Sequence, residues 1–476
     1  MPSNKAILGI SREYYNPWER RAALSPDHVA SLVKEGVQVL VQPSKRRGYT
    51  EKEYQEAGAE IREDLSDATL ITSIKQIPEE YLIPNKTYSF FSHTIKAQEH
   101  NMPLLDAILE KNIRIVDYEK LVDGPGEWPA KAMSRYAGIV GMVDVLSGLG
   151  LRLLALGFNT PLLHISQAYN YPSYEDAKKR LAQVGREIAE SDMFVGPLTF
   201  IFTATGDVSK GAQEMFKLFP HEYVEPDRLQ EVAKKGSKNK FYATVVSRRH
   251  RLRRIQDGGY DEAEFTAHPE RYRDVFATKF APYASVIVNG TYWEPGQPRL
   301  ISDSDAMTLL ARNPNAPTNL TDVGGNPVLP RRLLAISDIS ADEDGSIQWT
   351  KECTQQDTPY YIYDKHGKTT HNGMTADGVL MCSVDNMPAQ FPRDATDYFG
   401  DLYLPFVREL LRTDATSSFE DFTEQVCPAL VNSVIATNGR LAPSYEYIKA
   451  LRKKMEEEKR KKTRREHYIG NWNGHV

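Results

Sequence analysis

The chain has 476 residues, of which 59 are Lys or Arg and 64 Asp or Glu, so its formal net charge of -5 gives no global pull toward nucleic acid or an anionic membrane. Its length suits two or three domains, and 41% hydrophobic residues is enough to bury real cores. Cys353, Cys382 and Cys427 stand far apart without a CxxC pair, which argues against a disulfide framework or a structural zinc site, and no metal is expected.

The opening residues from Met1 to Ile7 show neither a secretory apolar core nor an Arg-rich transit segment, so no presequence is visible. Lys5 to Ile10 reads as a strand. Ser25 then caps a helix with Pro26 at its first position and Val29, Leu32 and Val33 on one face. Gly36 ends it, and Val37 to Val41 is the next strand. A helix starting near Thr50, strands at Leu70 to Ile74 and Thr87 to Ser92, a helix with Pro103 near its start and a strand at Ile113 to Val116 complete an alternating pattern. That alternation predicts a parallel α/β layer.

Polar residues follow these strands, where open α/β sheets place ligands. Lys75 follows one, His93 the next, and Asp117-Tyr118-Glu119 the third. A lysine, a histidine and a carboxylate at one sheet edge could move protons on an amine or carbonyl substrate. The plainer reading of each alone is a solvated or structural residue at a strand end.

Ala137 to Leu156 is long enough to span a membrane, yet it carries Asp144, Arg152 and glycines at 138, 141, 148 and 150. It reads as a buried helix packed closely between domains. Next comes the stretch on which a cofactor site would be built. Leu198 to Phe202 reads as a strand covered on both faces, followed by the Thr205-Gly206 bend and a helix with Ala212, Met215, Phe216 and Phe219 on one face. Strand, turn and helix N-terminus make an anion site suited to a dinucleotide pyrophosphate. The glycine fingerprint is imperfect: Ala204 stands at the first glycine, Ser209 at the third, and Gly211 lies two residues further on. Glu225, about twenty residues past the turn, could accept the ribose hydroxyls. An ordinary βα turn is the alternative.

Lys234 to Arg254 is mostly polar and ends in Ser247-Arg-Arg-His-Arg-Leu-Arg-Arg254. The cluster could pair a 2′-phosphate, favouring NADPH, whereas Glu225 favours NADH; a solvated loop is the plainer reading. No aromatics interleave the arginines, which argues against nucleic-acid binding. Ala284 to Val288 and Arg332 to Ile336 read as later strands, joined by a loop from Asn313 to Pro330. After Asp338 the chain is expected to return to the first domain, with Leu402 to Leu411 a helix. Arg452 to Arg465 is an exposed helix or a disordered linker.

Several longer motifs carry a resemblance: Glu19-Arg-Arg-Ala-Ala-Leu-Ser-Pro26, Phe90-Phe-Ser-His-Thr-Ile-Lys-Ala-Gln-Glu99, Asp117-Tyr-Glu-Lys120, Gly150-Leu-Arg-Leu-Leu-Ala-Leu-Gly157, Gly206-Asp-Val-Ser-Lys-Gly-Ala-Gln213, Ser337-Asp-Ile-Ser-Ala-Asp342 and Met381-Cys-Ser-Val-Asp-Asn-Met-Pro-Ala-Gln-Phe-Pro392. In these the chain resembles the lysine-ketoglutarate reductase half of α-aminoadipic semialdehyde synthases. More distantly it is similar to fungal lysine-forming saccharopine dehydrogenase and to alanine dehydrogenase.

The resemblance implies an α/β fold of two Rossmann-like domains with parallel sheets. An NAD(P)-binding domain (residues 137–344) would be inserted into a catalytic domain (1–136 and 345–450), with the active site in the cleft and 451–476 a charged tail. It implies condensation of lysine with 2-oxoglutarate and reduction of the imine to saccharopine, with NADPH as the expected cofactor and NADH as the alternative. By the same resemblance Lys75 and His93 are the acid-base pair, Arg21 holds a substrate carboxylate, and Gln98 and Glu119 fall at active-site positions. Thr205, Gly206, Gly211, Glu225, Asn289, Gly290, Thr291, Asp338 and Ser340 fall on the cofactor side. No nucleic-acid or membrane partner and no second saccharopine dehydrogenase domain are expected in this chain; a homo-oligomer is left open. The family compartment is the mitochondrial matrix, with the cytoplasm as the alternative.

One departure stands out. Where the family pattern calls for arginines before Tyr136, this chain has Trp128 and Pro129, and the loss of a charge-assisted bond there would cost about 1.5–3 kcal/mol. Lys131 or Arg135 could substitute. Asp207 in the phosphate turn would oppose an anion unless it caps the helix. Two other readings therefore remain: a catalytically silent, nucleotide- or lysine-binding regulator, and an opine- or alanine-dehydrogenase-like enzyme on another substrate.

Overall fold

A computed structural model describes residues 6–122, 128–191, 195–316, 328–371 and 373–472. Its strands, in chain order, begin with β1 (Ile7–Ile10), β2 (Gln38–Val41), β3 (Glu60–Ile61), β4 (Leu70–Thr72), β5 (Thr87–Phe90) and β6 (Arg114–Asp117). Next are β7 (Leu198–Thr203), β8 (His221–Tyr223), β9 (Phe241–Val246), β10 (Leu252–Arg254), β11 (Tyr272–Asp274), β12 (Val286–Asn289) and β13 (Ala335–Asp338). The last are β14 (Tyr360–Tyr363), β15 (Thr369–His371), β16 (Val379–Cys382), β17 (Val434–Thr437) and β18 (Arg440–Leu441). They form two eight-stranded, largely parallel sheets and a small β10-β11 ribbon.

The first compact unit joins residues 1–132 to 392–476. Its sheet runs β18-β17-β6-β5-β4-β1-β2-β3, parallel from β6 to β3. β4, β5 and β6 are buried along their whole length, as parallel strands covered on both faces require. Local chemistry sets the helices. Pro26–Lys34 starts with Ser25 and His28 bonded reciprocally, and Glu51–Glu56 starts with a Thr50–Glu53 capping box. The charged C-terminal run is helical, within Tyr447–Trp472, and its described side chains from Lys453 to Glu457 are exposed. Arg452 and Lys459 of this helix pair with Asp106 and Glu99.

The second unit is residues 133–391, with strand order β15-β14-β16-β13-β12-β7-β9-β8. This corrects the expected return to the first domain near residue 345. After β13 the chain adds one more parallel strand, β16, pairing Leu380–Cys382 with Ala335–Ser337, and an antiparallel β14-β15 ribbon closes that side. Without them β13 would keep a row of unpaired backbone groups. Helix Tyr174–Glu190 and strand β9 were not foreseen, and β9 replaces the solvated loop expected over its residues.

Helix Pro129–Ala155 is, among the described residues, the one helix long and apolar enough to cross a membrane, but 83% of its apolar window is buried inside the protein. From Met133 onward it is a core helix of the second unit. A Cβ at Gly138 would overlap the Val208 carbonyl and lie 2.8 Å from the Ala212 nitrogen, so this helix and Asp207–Phe216 cross nearly backbone to backbone. Gly211 faces the same crossing from the other side, against the Arg135 carbonyl.

Asp144 of the same helix is fully buried, accepting from the Ala168 N–H at 2.9 Å and the Gln390 amide at 2.6 Å. Burial outweighs both bonds and pushes its pKa up from 3.8 to about 7. The folded state therefore holds a proton that the unfolded chain has released between those values, and stability falls as pH rises through that window. The penalty is absent below the lower value and complete above the higher one, at most about 4 kcal/mol. Asp144→Asn is expected to raise the melting temperature relative to wild type at pH 8 and not at pH 4. A difference that stays flat across that range would remove Asp144 from the pH response.

Candidate active site

Four adjacent parallel strands of the first sheet, β6, β5, β4 and β1, end on the same edge, and each delivers an ionisable group just past its end. These are Glu119, His93, Lys75 and Glu13. The register places them level: Phe91 N–H bonds the Ile74 carbonyl at 3.1 Å, so Lys75 and His93 follow neighbouring strands within two residues of one another.

His93 bonds Glu119 Oε1 through Nδ1 at 2.7 Å, and both side chains are about one-third exposed. A carboxylate partner at Nδ1 makes that nitrogen the donor and leaves Nε2 to face a substrate. Burial would raise Glu119, but the bond and charge of His93, with Lys96 and Lys120, hold its pKa below the ordinary value. His93 has φ 53°, a left-handed backbone that turns its ring over Phe91 at 6.1 Å. Behind the pair, buried Asp117 accepts the Glu119 N–H at 2.8 Å, the Ser92 N–H at 3.1 Å and the Ser92 hydroxyl. Asn101 donates to the His93 carbonyl at 3.0 Å and to Gln98 Oε1 at 3.3 Å, so Gln98 joins this group through Asn101, with its own side chain exposed.

Lys75 places its ammonium 4.6 Å from the Tyr15 ring centroid. Its backbone N–H and that of Ile74 donate to Glu13 at 3.0 and 2.6 Å. Glu13 was not singled out from the sequence; its one signal was a carboxylate three residues past the first strand. Burial and the neighbouring Glu19 push its pKa well above the carboxylate range, against the two N–H bonds and Arg21. Arg21 is 2% exposed, and its Nε and Nη2 bond Glu19 at 2.9 and 2.6 Å. A substrate carboxylate would share this guanidinium with Glu19.

In the second unit β7 runs into a turn and then helix Asp207–Phe216, as the pattern predicted. Ala204 takes φ 64°, a conformation that suits the missing first glycine and costs an L-residue about 1 kcal/mol. Thr205 and Gly206 are exposed, and a Cβ at Gly206 would meet nothing within 4 Å. That open space before a ten-residue helix fits a dinucleotide pyrophosphate. Gly211 does not face the turn; as the helix-crossing glycine it permits close packing. Asp207 sits in the first helical turn, 3.4 Å from Lys210.

Asn289, Asp338 and Ser340 are brought together past β12 and β13. Asn289 Nδ2 donates to Asp338 and Ser346, each at 2.8 Å, and its Oδ1 accepts from Thr203 at 2.6 Å and from the Thr291 N–H at 3.1 Å. Ser340 donates to Asp338 at 2.7 Å, and Gly290 N–H to Thr203 at 3.1 Å. Burial raises the Asp338 pKa, opposed by Ser340, Thr350 and Asn289. The Asn289 and Asp338 side chains are committed to this internal network, which sets the shape of the β12 and β13 ends.

Glu225 is displaced from its expected place. The strand beside β7 is β9, and β8, which leads to Glu225, lies outside it. At the departure near residue 128, Lys131 rests 3.9 Å over the Trp128 ring, and Arg135 is held by Glu214 at 2.6 Å. Residues 123–127, which precede them, lie outside the described residues.

Residues 9–140 match the family model described as alanine dehydrogenase/PNT, N-terminal domain. Across 455 residues, 95% of the chain, it is 48% identical to the mitochondrial α-aminoadipic semialdehyde synthase of Bos taurus, and across 472 residues 37% identical to that of Arabidopsis thaliana. It spans 48% and 42% of their lengths, about half of the curated relatives it matches. The lysine-forming NAD(+) saccharopine dehydrogenase of Candida albicans is 23% identical over 438 residues, 87% of the chain and 95% of that protein. Among solved structures, an L-alanine dehydrogenase aligns with a TM-score of 0.54 at 17% identity, covering 93% of this chain and 98% of that one. A transhydrogenase from Sinorhizobium meliloti gives 0.54 at 14% identity, covering 92% and 100%. The fold is therefore Rossmann-like, and over 95% of its length the chain is similar to part of the α-aminoadipic semialdehyde synthases.

Proposed function

We propose that the protein is a nicotinamide-dependent oxidoreductase of lysine catabolism, condensing L-lysine with 2-oxoglutarate and reducing the imine to saccharopine. The observation that carries this reading is the row of Glu13, Lys75, His93 and Glu119 at four adjacent strand ends, a set able to move protons in both directions. The names of relatives that print saccharopine and L-lysine support lysine and saccharopine chemistry. The direction is reductive and the cofactor NADPH; the compartment is the mitochondrial matrix, a reading supported by the word mitochondrial in the names of the mammalian relatives.

The Thr205-Gly206 turn would hold the dinucleotide's pyrophosphate, and the nicotinamide would supply hydride chemistry. His93, oriented by Glu119, takes a proton from the lysine ε-ammonium at Nε2, which frees the amine to attack the ketone. Glu119 stabilises the imidazolium that results. Lys75 donates to the hydroxyl leaving the carbinolamine, and Arg21 supplies positive charge toward a substrate carboxylate in competition with Glu19.

The test follows reduced-cofactor absorbance with NADPH and with NADH. Lysine plus 2-oxoglutarate is compared with pyruvate plus ammonia and with each substrate alone. Consumption of NADPH only when lysine and 2-oxoglutarate are both present is expected. Turnover of pyruvate and ammonia would transfer the protein to alanine dehydrogenase chemistry, and flat traces with retained dinucleotide binding would make it a silent regulator.

A further inference from the structure

Dinucleotide folds read the adenosine ribose just past the strand that neighbours the phosphate turn: a carboxylate there binds a free 2′-hydroxyl, and an arginine accommodates a 2′-phosphate. Here that neighbour is β9. Thr203 of β7 pairs with Val246, and the Ala204 N–H bonds the Val246 carbonyl at 3.1 Å, so Ser247 starts level with the turn and one strand spacing, about 5 Å, away. β8 pairs Tyr223 with Ala243, which leaves Glu225 level with Val245 and two strand spacings, about 10 Å, from β7.

The groups that follow β9 are Ser247, Arg248 and Arg249. Later arginines in the cluster are committed elsewhere: Arg251 to buried Asp274, Arg254 to Asp257 and Glu264, and Arg253 to the backbone carbonyls of Arg249, His250 and Leu252. Ser247 faces His250 Nδ1 at 3.2 Å. Arg248 lies over Phe265 and 3.8 Å from Glu262, an exposed pair that a phosphate can displace at little cost. Arg249 is exposed.

We propose that Ser247, Arg248 and Arg249 form the 2′-phosphate reader of the cofactor site, so that the strand order of the second sheet selects NADPH and takes Glu225 out of the decision. A phosphate meets two planar guanidinium groups able to bind it bidentately, where a carboxylate would have repelled it. This rests on the reading of the second unit as a dinucleotide site.

Calorimetric titration of the whole chain with NADP+, NAD+, 2′,5′-ADP and 5′-AMP tests it without turnover. Wild type is expected to bind NADP+ and 2′,5′-ADP at least tenfold tighter than NAD+ and 5′-AMP. Arg248→Ala and Arg249→Ala should each weaken NADP+ and 2′,5′-ADP about tenfold with NAD+ within twofold, and Ser247→Asp should reverse the preference. Glu225→Gln should move neither. Arg249 is exposed, so its variant keeps the test sound if Arg248→Ala melts early. Equal losses for both dinucleotides, an NAD+ preference in wild type, or a gain in NADP+ binding by Glu225→Gln overturns the reader and leaves the dinucleotide site standing. Binding of none of the four ligands ends both.

Discussion

Lys75→Met is expected to lower kcat/KM for the proposed substrates lysine and 2-oxoglutarate by about 10²–10⁴-fold, the range for removal of a positioned proton donor. Methionine retains the length and apolar stem of lysine but carries no transferable proton. The Lys75 backbone N–H that holds Glu13 survives the change, so the carboxylate stays where it is. The ammonium on the Tyr15 ring is lost, a contact worth about 1 kcal/mol in an exposed setting. The loss should appear in kcat with saturating substrates, while titrated dinucleotide affinity stays within twofold. His93→Asn gives the comparison: it should lower turnover as well. Unchanged turnover in Lys75→Met at saturating substrate would take the lysine out of the chemistry.

The largest stability effect is expected at Gly138. Gly138→Val forces two methyl groups and a Cβ into the space held by the Val208 carbonyl and the Ala212 nitrogen, both backbone atoms that cannot rotate aside. The helices must separate, at a cost of about 3 kcal/mol or more, and the second unit should melt about 6–12 °C lower. Because Asp207–Phe216 is the helix that follows the proposed dinucleotide turn, affinity for NADP+ should fall in the same variant. Gly206→Ala is the matched control, since its Cβ meets nothing within 4 Å: its stability should stay within about 1 kcal/mol of wild type. A Gly138→Val protein melting within 2 °C of wild type would show that the crossing is looser than this packing requires.

Most of the fold and half of the site were legible in the chain itself. Alternating strands and capped helices announced one parallel α/β layer, the second being implied by the family resemblance, because burial on both faces favours largely apolar runs such as Leu198–Thr203. Lys75, His93 and Glu119 could be picked out because strand ends in such sheets are where ligands go, and parallel register then aligned them. What stayed hidden depended on contacts between residues far apart. Glu13 and Glu19 looked like loop carboxylates; only burial around Arg21 makes them a charge cluster.

The sharpest division concerns the adenosine side. Counting residues from the turn led to Glu225, since spacing along a chain says where a strand ends and nothing about its neighbour. The sheet puts another strand beside the turn: six-residue β9, Phe241–Val246, is almost wholly buried and pairs along the length of β7, while three-residue β8 is largely exposed and serves as an edge. Sequence alone therefore determined which segments become strands, where their polar ends lie and that one strand runs through a glycine turn into a helix. Only tertiary structure chose which strand flanks that turn, because competition for a central place in a sheet is settled by total buried area and pairing length, which no local pattern contains.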